Sequence, residues 1–212
     1  STGFGIKNTS TSVNGDGDTY IYIAIRRPDG YVGKPPSLGT EVFAIDTGNG
    51  SSTIPVFDSG FPVDMALYKY QVTGSADWVQ TSRLQGIKRL IINSTNAEGS
   101  FSDFTWDSNV GWCKESSAGS GYYSWMWKRG AGFDVVTYTG NATAGRQIRH
   151  SLSKSPEMIW VKDRENTRDW RVFHHGLNEG SNPAQYGIKL NSIDEESQNS
   201  SYWNDTAPTS TS

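Results

Sequence analysis

Apolar residues recur with a period of two along several short stretches of the chain. In Tyr20-Ile21-Tyr22-Ile23-Ala24-Ile25, the three isoleucines fall on one face. Tyr123, Trp125 and Trp127 do the same within Tyr122 to Arg129; Glu157-Met158-Ile159-Trp160-Val161-Lys162 is another run with strand character. Such alternation suits a strand, because successive side chains leave the backbone on opposite sides. No window of a dozen residues carries apolar positions at the helical spacing together with good helix formers. Turn-forming clusters separate the strand patterns: Asn14-Gly15-Asp16-Gly17-Asp18, Pro28-Asp29-Gly30, Thr47-Gly48-Asn49-Gly50 and Thr139-Gly140-Asn141. Short strands with turns between them predict an all-β protein, a sandwich or a barrel.

The pattern repeats. Asp64-Met65-Ala66-Leu67-Tyr68-Lys69 recurs as Glu157-Met158-Ile159-Trp160-Val161-Lys162, offset by 93 residues, and Asp77-Trp78 recurs as Asp169-Trp170, offset by 92. Leu84 matches Leu177. Asn93-Ser94-Thr95-Asn96-Ala97-Glu98 matches Asn191-Ser192-Ile193-Asp194-Glu195-Glu196 at an offset of 98, and Trp106 matches Trp203 at 97. The strand at Tyr20 to Arg27 matches Tyr122 to Arg129 at 102. The series is colinear, which no single match would establish. Growth of the offset places an insertion in the second copy between Asn178 and Gly187. The expected organisation is two sandwich-like copies, 20–112 and 122–212, preceded by residues 1–18 as the tail of an earlier copy, with the second copy cut short. The chain then reads as an excerpt of a longer repetitive protein. One large sandwich with internal pseudo-symmetry is the alternative.

Composition narrows the function. Charged residues are 19% and hydrophobic residues 34% of the 212, with 19 Lys+Arg against 22 Asp+Glu. So low a charge does not suit a disordered polyelectrolyte, and no basic footprint points to nucleic acid. No apolar run approaches the roughly 20 residues of a membrane-spanning helix. Cys113 is alone, so neither an internal disulfide nor a cysteine zinc cluster can form. Ser, Thr, Asn and Gly fill the polar positions while aromatic residues reach 12%, as in extracellular or virion-surface β proteins.

Several motifs taken together resemble a known family. They are Gly132-Phe133-Asp134-Val135-Val136-Thr137-Tyr138-Thr139-Gly140-Asn141, His150-Ser151-Leu152 with Pro156 to Lys162, Trp170-Arg171-Val172-Phe173-His174, and Trp203-Asn204-Asp205-Thr206-Ala207-Pro208-Thr209-Ser210. These are similar to repetitive modules of tailed-phage virion proteins, especially of marine phages. The resemblance covers the second copy and, more loosely, the first. It implies an antiparallel β-sandwich of the jelly-roll or concanavalin A/laminin-G-like kind and a place on the virion surface. It carries no catalytic residues to transfer.

Candidate chemistry is sparse. Asn14, Asp16 and Asp18 alternate oxygen ligands as the start of a Ca2+ loop would, but Thr19 to Arg27 supplies no bidentate acid; a turn entering the strand at Tyr20 explains them better. His150, His174 and His175 are the only histidines. The last two, adjacent in a strand, are expected on opposite faces and so not on one metal. A glycoside hydrolase needs two facing carboxylates; Asp163, Glu165, Asp169 and Glu179 are available, yet no motif singles out one of them. The recurring tryptophans suit core or inter-repeat packing. Carbohydrate binding falls to unshared loop residues: Asn182 and Gln185 for hydroxyls, Tyr186 and Tyr202 for stacking.

The function expected from these readings is a non-enzymatic structural and interaction module of a phage surface appendage such as a tail fibre. It would assemble with other virion proteins and with copies of itself, as a trimer in the usual fibre, and contact a host-surface glycan. A repeat of a secreted bacterial adhesin or sheath has the same composition.

Overall fold

Met65 to Tyr70 carries apolar side chains on both of its faces, so it can be stable only as an interior strand. The computed structural model places it there. The structure describes residues 38–212 apart from 52, 53, 72, 73, 75 and 116. The chain divides into two compact units, Ser1–Lys34 and Pro35–Ser212, and all the described residues belong to the second. Asn14, Asp16 and Asp18 lie outside the described residues, as do the strand pattern at Tyr20 to Arg27 and the tail at 1–18.

The described residues form no α-helix. Their strands are β1 (Phe43–Thr47), β2 (Phe57–Asp58), β3 (Met65–Tyr70), β4 (Val79–Ser82), β5 (Lys88–Ile91), β6 (Gly99–Ser100), β7 (Gly111–Trp112), β8 (Tyr122–Trp127), β9 (Met158–Val161), β10 (Arg171–His174), β11 (Tyr186–Lys189) and β12 (Ser197–Gln198). The protein is thus all-β. Every ladder is antiparallel. One sheet has the order β1-β8-β3-β4-β5-β6, a second β12-β11-β10-β9, and β2 pairs with β7.

The six-stranded sheet is covered on both faces. Ala66, Tyr68, Val79 and Met126 point into a core closed by Phe57 of β2 and Trp112 of β7. Trp112 is fully buried. Its ring stacks on Trp106 at 5.0 Å and on Phe57 at 5.5 Å, and its indole N–H donates to Ser124 Oγ at 2.9 Å. That bond satisfies the one polar group so large a side chain brings inside. On the opposite face Met65, Leu67 and Leu90 pack with Trp170 from the second sheet, flanked by Trp78, Trp125 and Trp127. The recurring pair Trp78 and Trp170 therefore packs where the two sheets meet.

The meanders β3–β6 and β9–β12 share one register. Met65 faces Ser82 as Met158 faces His174. Val79 faces Ile91 as Arg171 faces Lys189, and Lys88 faces Ser100 as Tyr186 faces Gln198. Each correspondence carries the offset found in the sequence. The strand Tyr122–Trp127 has two partners. In sequence it opens the second copy; in the structure it pairs with both β1 and β3. Its apolar residues explain this: Met126 is buried in one core while Trp125 and Trp127 pack on the other. One compact unit runs from Pro35 to Ser212. No helix among the described residues is long and apolar enough to cross a membrane.

Candidate functional site

The unshared loop before β11 is held at its ends and strained between them. Leu177 and Ala184 are buried anchors. Between them Asn178, Glu179 and Asn182 adopt left-handed backbone angles, with φ of 50°, 56° and 49°. Asparagine tolerates this region better than most residues. The Asn178 N–H donates to the Glu196 carboxylate at 2.8 Å, and its side-chain amide donates to the Ser181 carbonyl at 2.7 Å. A second loop follows β12, where Asn204 and Asp205 are again left-handed, at 54° and 50°. Trp203 ties the two together. Its indole N–H donates to the Tyr186 carbonyl at 2.9 Å, and its ring meets Phe173 edge to face at 5.7 Å.

Between these loops lies a depression of about 200 Å³ lined by Asn182, Pro183, Ala184, Gln185, Asp205 and Ala207. It is smaller than the roughly 300–1,000 Å³ of a drug-sized pocket. Two amides and one carboxylate around small apolar side chains can hold hydroxyl groups by hydrogen bonds. A lone carboxylate cannot supply the acid and base of glycoside cleavage.

Of the sequence-selected residues, Asn182 and Gln185 stand together on this wall. Tyr186 and Tyr202 do not line it. Tyr186 is half-buried at the start of β11. The Tyr202 ring lies so close to Gly187 that a Cβ there would sit 2.8 Å from its Cδ2, and Arg171 sits 4.5 Å from the ring centroid. Sequence reasoning missed Asp205. The signal was the pair Asn204-Asp205 directly after Trp203, a turn-forming dipeptide inside a motif used only for the family resemblance.

The other acids hold their own loops. Asp163 accepts from the Asn166 amide at 3.0 Å and from the backbone of Asn166 and Glu165 at 3.0 and 2.9 Å. These bonds, with Arg168, hold its carboxyl below the usual range. Asp169 accepts from Asn191 at 3.0 Å and pairs with Arg171 at 3.2 Å. Glu98 binds Arg164 of the second meander through two bonds of 2.9 Å. The histidines correct an expectation: the His174 and His175 rings do not diverge but meet edge to face, 4.6 Å apart. β10 ends at His174, so the alternation stops before His175. His174 Nδ1 accepts the Gly176 N–H at 3.0 Å. Among the described residues no three His, Cys, Asp or Glu side chains converge as metal ligands would.

Fold and site together define an all-β module whose polar chemistry sits on loops joining rigid antiparallel strands. The chain belongs to the family described as a domain of unknown function, DUF7483, whose model matches residues 40–212. No curated protein and no solved structure matches it.

Proposed function

We propose that the chain is a structural and interaction module of a tailed-phage virion surface protein, in a tail fibre or similar appendage, without enzymatic activity. The observation that carries this reading is the use of one meander twice in the same register, joined by packed tryptophan and the Glu98–Arg164 pair. Repetition of a stiff strand unit suits an extended load-bearing polymer. The sequence resemblance to virion modules points the same way. Mass spectrometry of purified virions tests it: peptides of this chain are expected among the surface proteins. Their absence from virions, with the protein instead in a bacterial surface fraction, would overturn it in favour of an adhesin.

The depression at Asn182, Gln185 and Asp205 favours glycan contact as the second part of the role. Each site would bind weakly, near millimolar, and adhesion would come from many copies per particle. On a glycan array a multivalent display of the module is expected to bind, and Asn182→Ala or Asp205→Ala to abolish binding, while Tyr186→Phe leaves it unchanged. Silence of the multivalent display would leave a purely structural module.

A further inference from the structure

Five acids that hold loops in this fold each meet a cation. Asp134 pairs with Arg129, Asp163 with Arg168, Asp169 with Arg171, Asp194 with Lys189 and Glu98 with Arg164. Asp205 differs. Among the described residues its carboxylate has neither a hydrogen-bond donor nor a cationic partner. Its backbone, by contrast, is tied down. The Asp205 N–H donates to the Ser200 carbonyl at 3.3 Å, and the Thr206 N–H donates to the Trp203 carbonyl at 3.1 Å. The Thr206 hydroxyl donates to the Asn204 carbonyl at 2.8 Å. Asn204 and Asp205 are both left-handed, a conformation that side chains of this kind hold only where the surroundings demand it. A short side chain on this backbone keeps one negative charge on the wall of the depression, with nothing of the protein's own to neutralise it.

The other walls are neutral. Asn182 and Gln185 contribute amides, and Pro183, Ala184 and Ala207 carry no polar side-chain atom. The Asn182 amide has no hydrogen-bond partner among the described residues. Gln198 Nε2 reaches the Gln185 amide oxygen only at 3.5 Å, and the Gln185 amide nitrogen has no partner among the described residues. The cations of the neighbouring strands are engaged elsewhere: Arg171 with Asp169 and the Tyr202 ring, Lys189 with Asp194 and Asp169. An unpaired carboxylate in such a place acts at short range on the charge of whatever enters. A hydroxyl donates to it well, an ammonium donates better, and a second carboxylate is repelled.

We propose that the depression ranks sugars by their charge: a hexosamine with a free amine binds tightest, a neutral hexose next, and a hexuronic acid least. Asp205 sets the order. The Asn182 and Gln185 amides hold hydroxyls that all three classes share, so they add affinity without changing the order. This inference rests on the glycan reading of the depression and adds to it the class of sugar; it does not depend on the virion reading.

The test uses the whole chain in multivalent display against hexosamine, hexose and hexuronic acid of the gluco, galacto and manno series, all coupled through the same anomeric linker. Binding is measured at about pH 6, where the amine of one class and the carboxylate of another are both charged. At low ionic strength successive classes are expected to differ about fivefold in affinity, and about 0.5 M salt should compress the order. Asp205→Asn keeps the size and an acceptor oxygen but removes the charge, and should bring the three classes to within about twofold. It also shifts the net charge of −3, so Glu195→Gln is the control. Glu195 is exposed and does not line the depression, and its substitution removes the same charge and should leave the order intact. Hexuronic acids that bind the unmodified chain as well as hexoses do, or an order that survives Asp205→Asn, would overturn the proposal and leave the glycan reading standing. Silence toward the whole series would overturn both. If Asp205→Asn failed to fold, an order in the unmodified chain that salt does not compress would still overturn it.

Discussion

The indole N–H of Trp170 donates to the carbonyl oxygen of Ile91 at 2.9 Å, so a side chain of the second sheet completes a strand of the first. Trp170 is also buried among Met65, Leu67 and Leu90. Trp170→Phe keeps most of the apolar contact and leaves that carbonyl without its donor, which should cost about 1 kcal/mol. Trp170→Ala should cost about 3–5 kcal/mol. Urea unfolding followed by fluorescence and by circular dichroism checks both values. The two probes should coincide, because the two meanders share this side chain.

Asp134 predicts an acid limb of stability. Burial alone would raise its carboxyl, but bonds from Arg129 Nε at 2.6 Å, from the Ser151 N–H at 2.8 Å and from the Ser151 hydroxyl at 3.0 Å outweigh it, and its pKa lies below the usual range. A depressed folded-state pKa gives stabilisation that is complete above the unfolded value of about 3.9 and lost as pH falls through the folded value. Asp134→Asn should therefore lower stability at neutral pH by about 1–3 kcal/mol. It should also flatten the decline below about pH 4. Denaturant midpoints measured from pH 7 to pH 2 would show both effects.

Cys113 should be inert. Burial raises its thiol pKa, and the charge of Glu115 adds to the effect. The residue is 4% exposed. Reaction with an aromatic disulfide reagent at pH 8 is expected to run at least about a hundredfold slower in the folded protein than in urea.

Gly111 lets β2 and β7 approach. A Cβ there would fall 2.0 Å from the Phe57 carbonyl oxygen and 2.6 Å from Pro55 Cβ. Neither neighbour is the end of a flexible side chain, so Gly111→Ala should destabilise by about 1–3 kcal/mol. Gly99→Ala, which meets nothing within 4 Å, is the control. Its effect should be at most about 0.5 kcal/mol.

Period-two alternation made β8 legible, the apolar run at 157–162 did so for β9, and its repeat at 64–69 marked β3, and with them the all-β class. It could not say which strand neighbours which, because alternation fixes faces and not partners; that β8 lies between β1 and β3 is visible only in the fold. The matched Asn93 and Asn191 were legible as a repeat but not as a device. Each bonds its own Asp-Trp pair, Asn93 to Asp77 and to the Trp78 N–H at 2.9 Å, and Asn191 to Asp169 at 3.0 Å and the Trp170 N–H at 2.8 Å. Leu84 and Leu177 match in sequence yet differ in burial, since Leu84 is exposed. Asn182 and Gln185 were reachable because their loop has no counterpart. Asp205 joins them only through folding, and polarity cannot reveal that Arg171 and Gly187 occupy the ring of Tyr202.

The insertion of β8 between β1 and β3 also sets an order of events during synthesis. When a ribosome has released the chain through β7, β3 has an open edge and β1, whose one strand partner among the described residues is β8, has no ladder to join. Pairings between segments so distant in sequence form slowly. Until Tyr122 to Trp127 emerges, the edge of β3 stays open and β1 stays outside the sheet. Closure of the six-stranded sheet therefore waits for β8, which joins β1 to the rest.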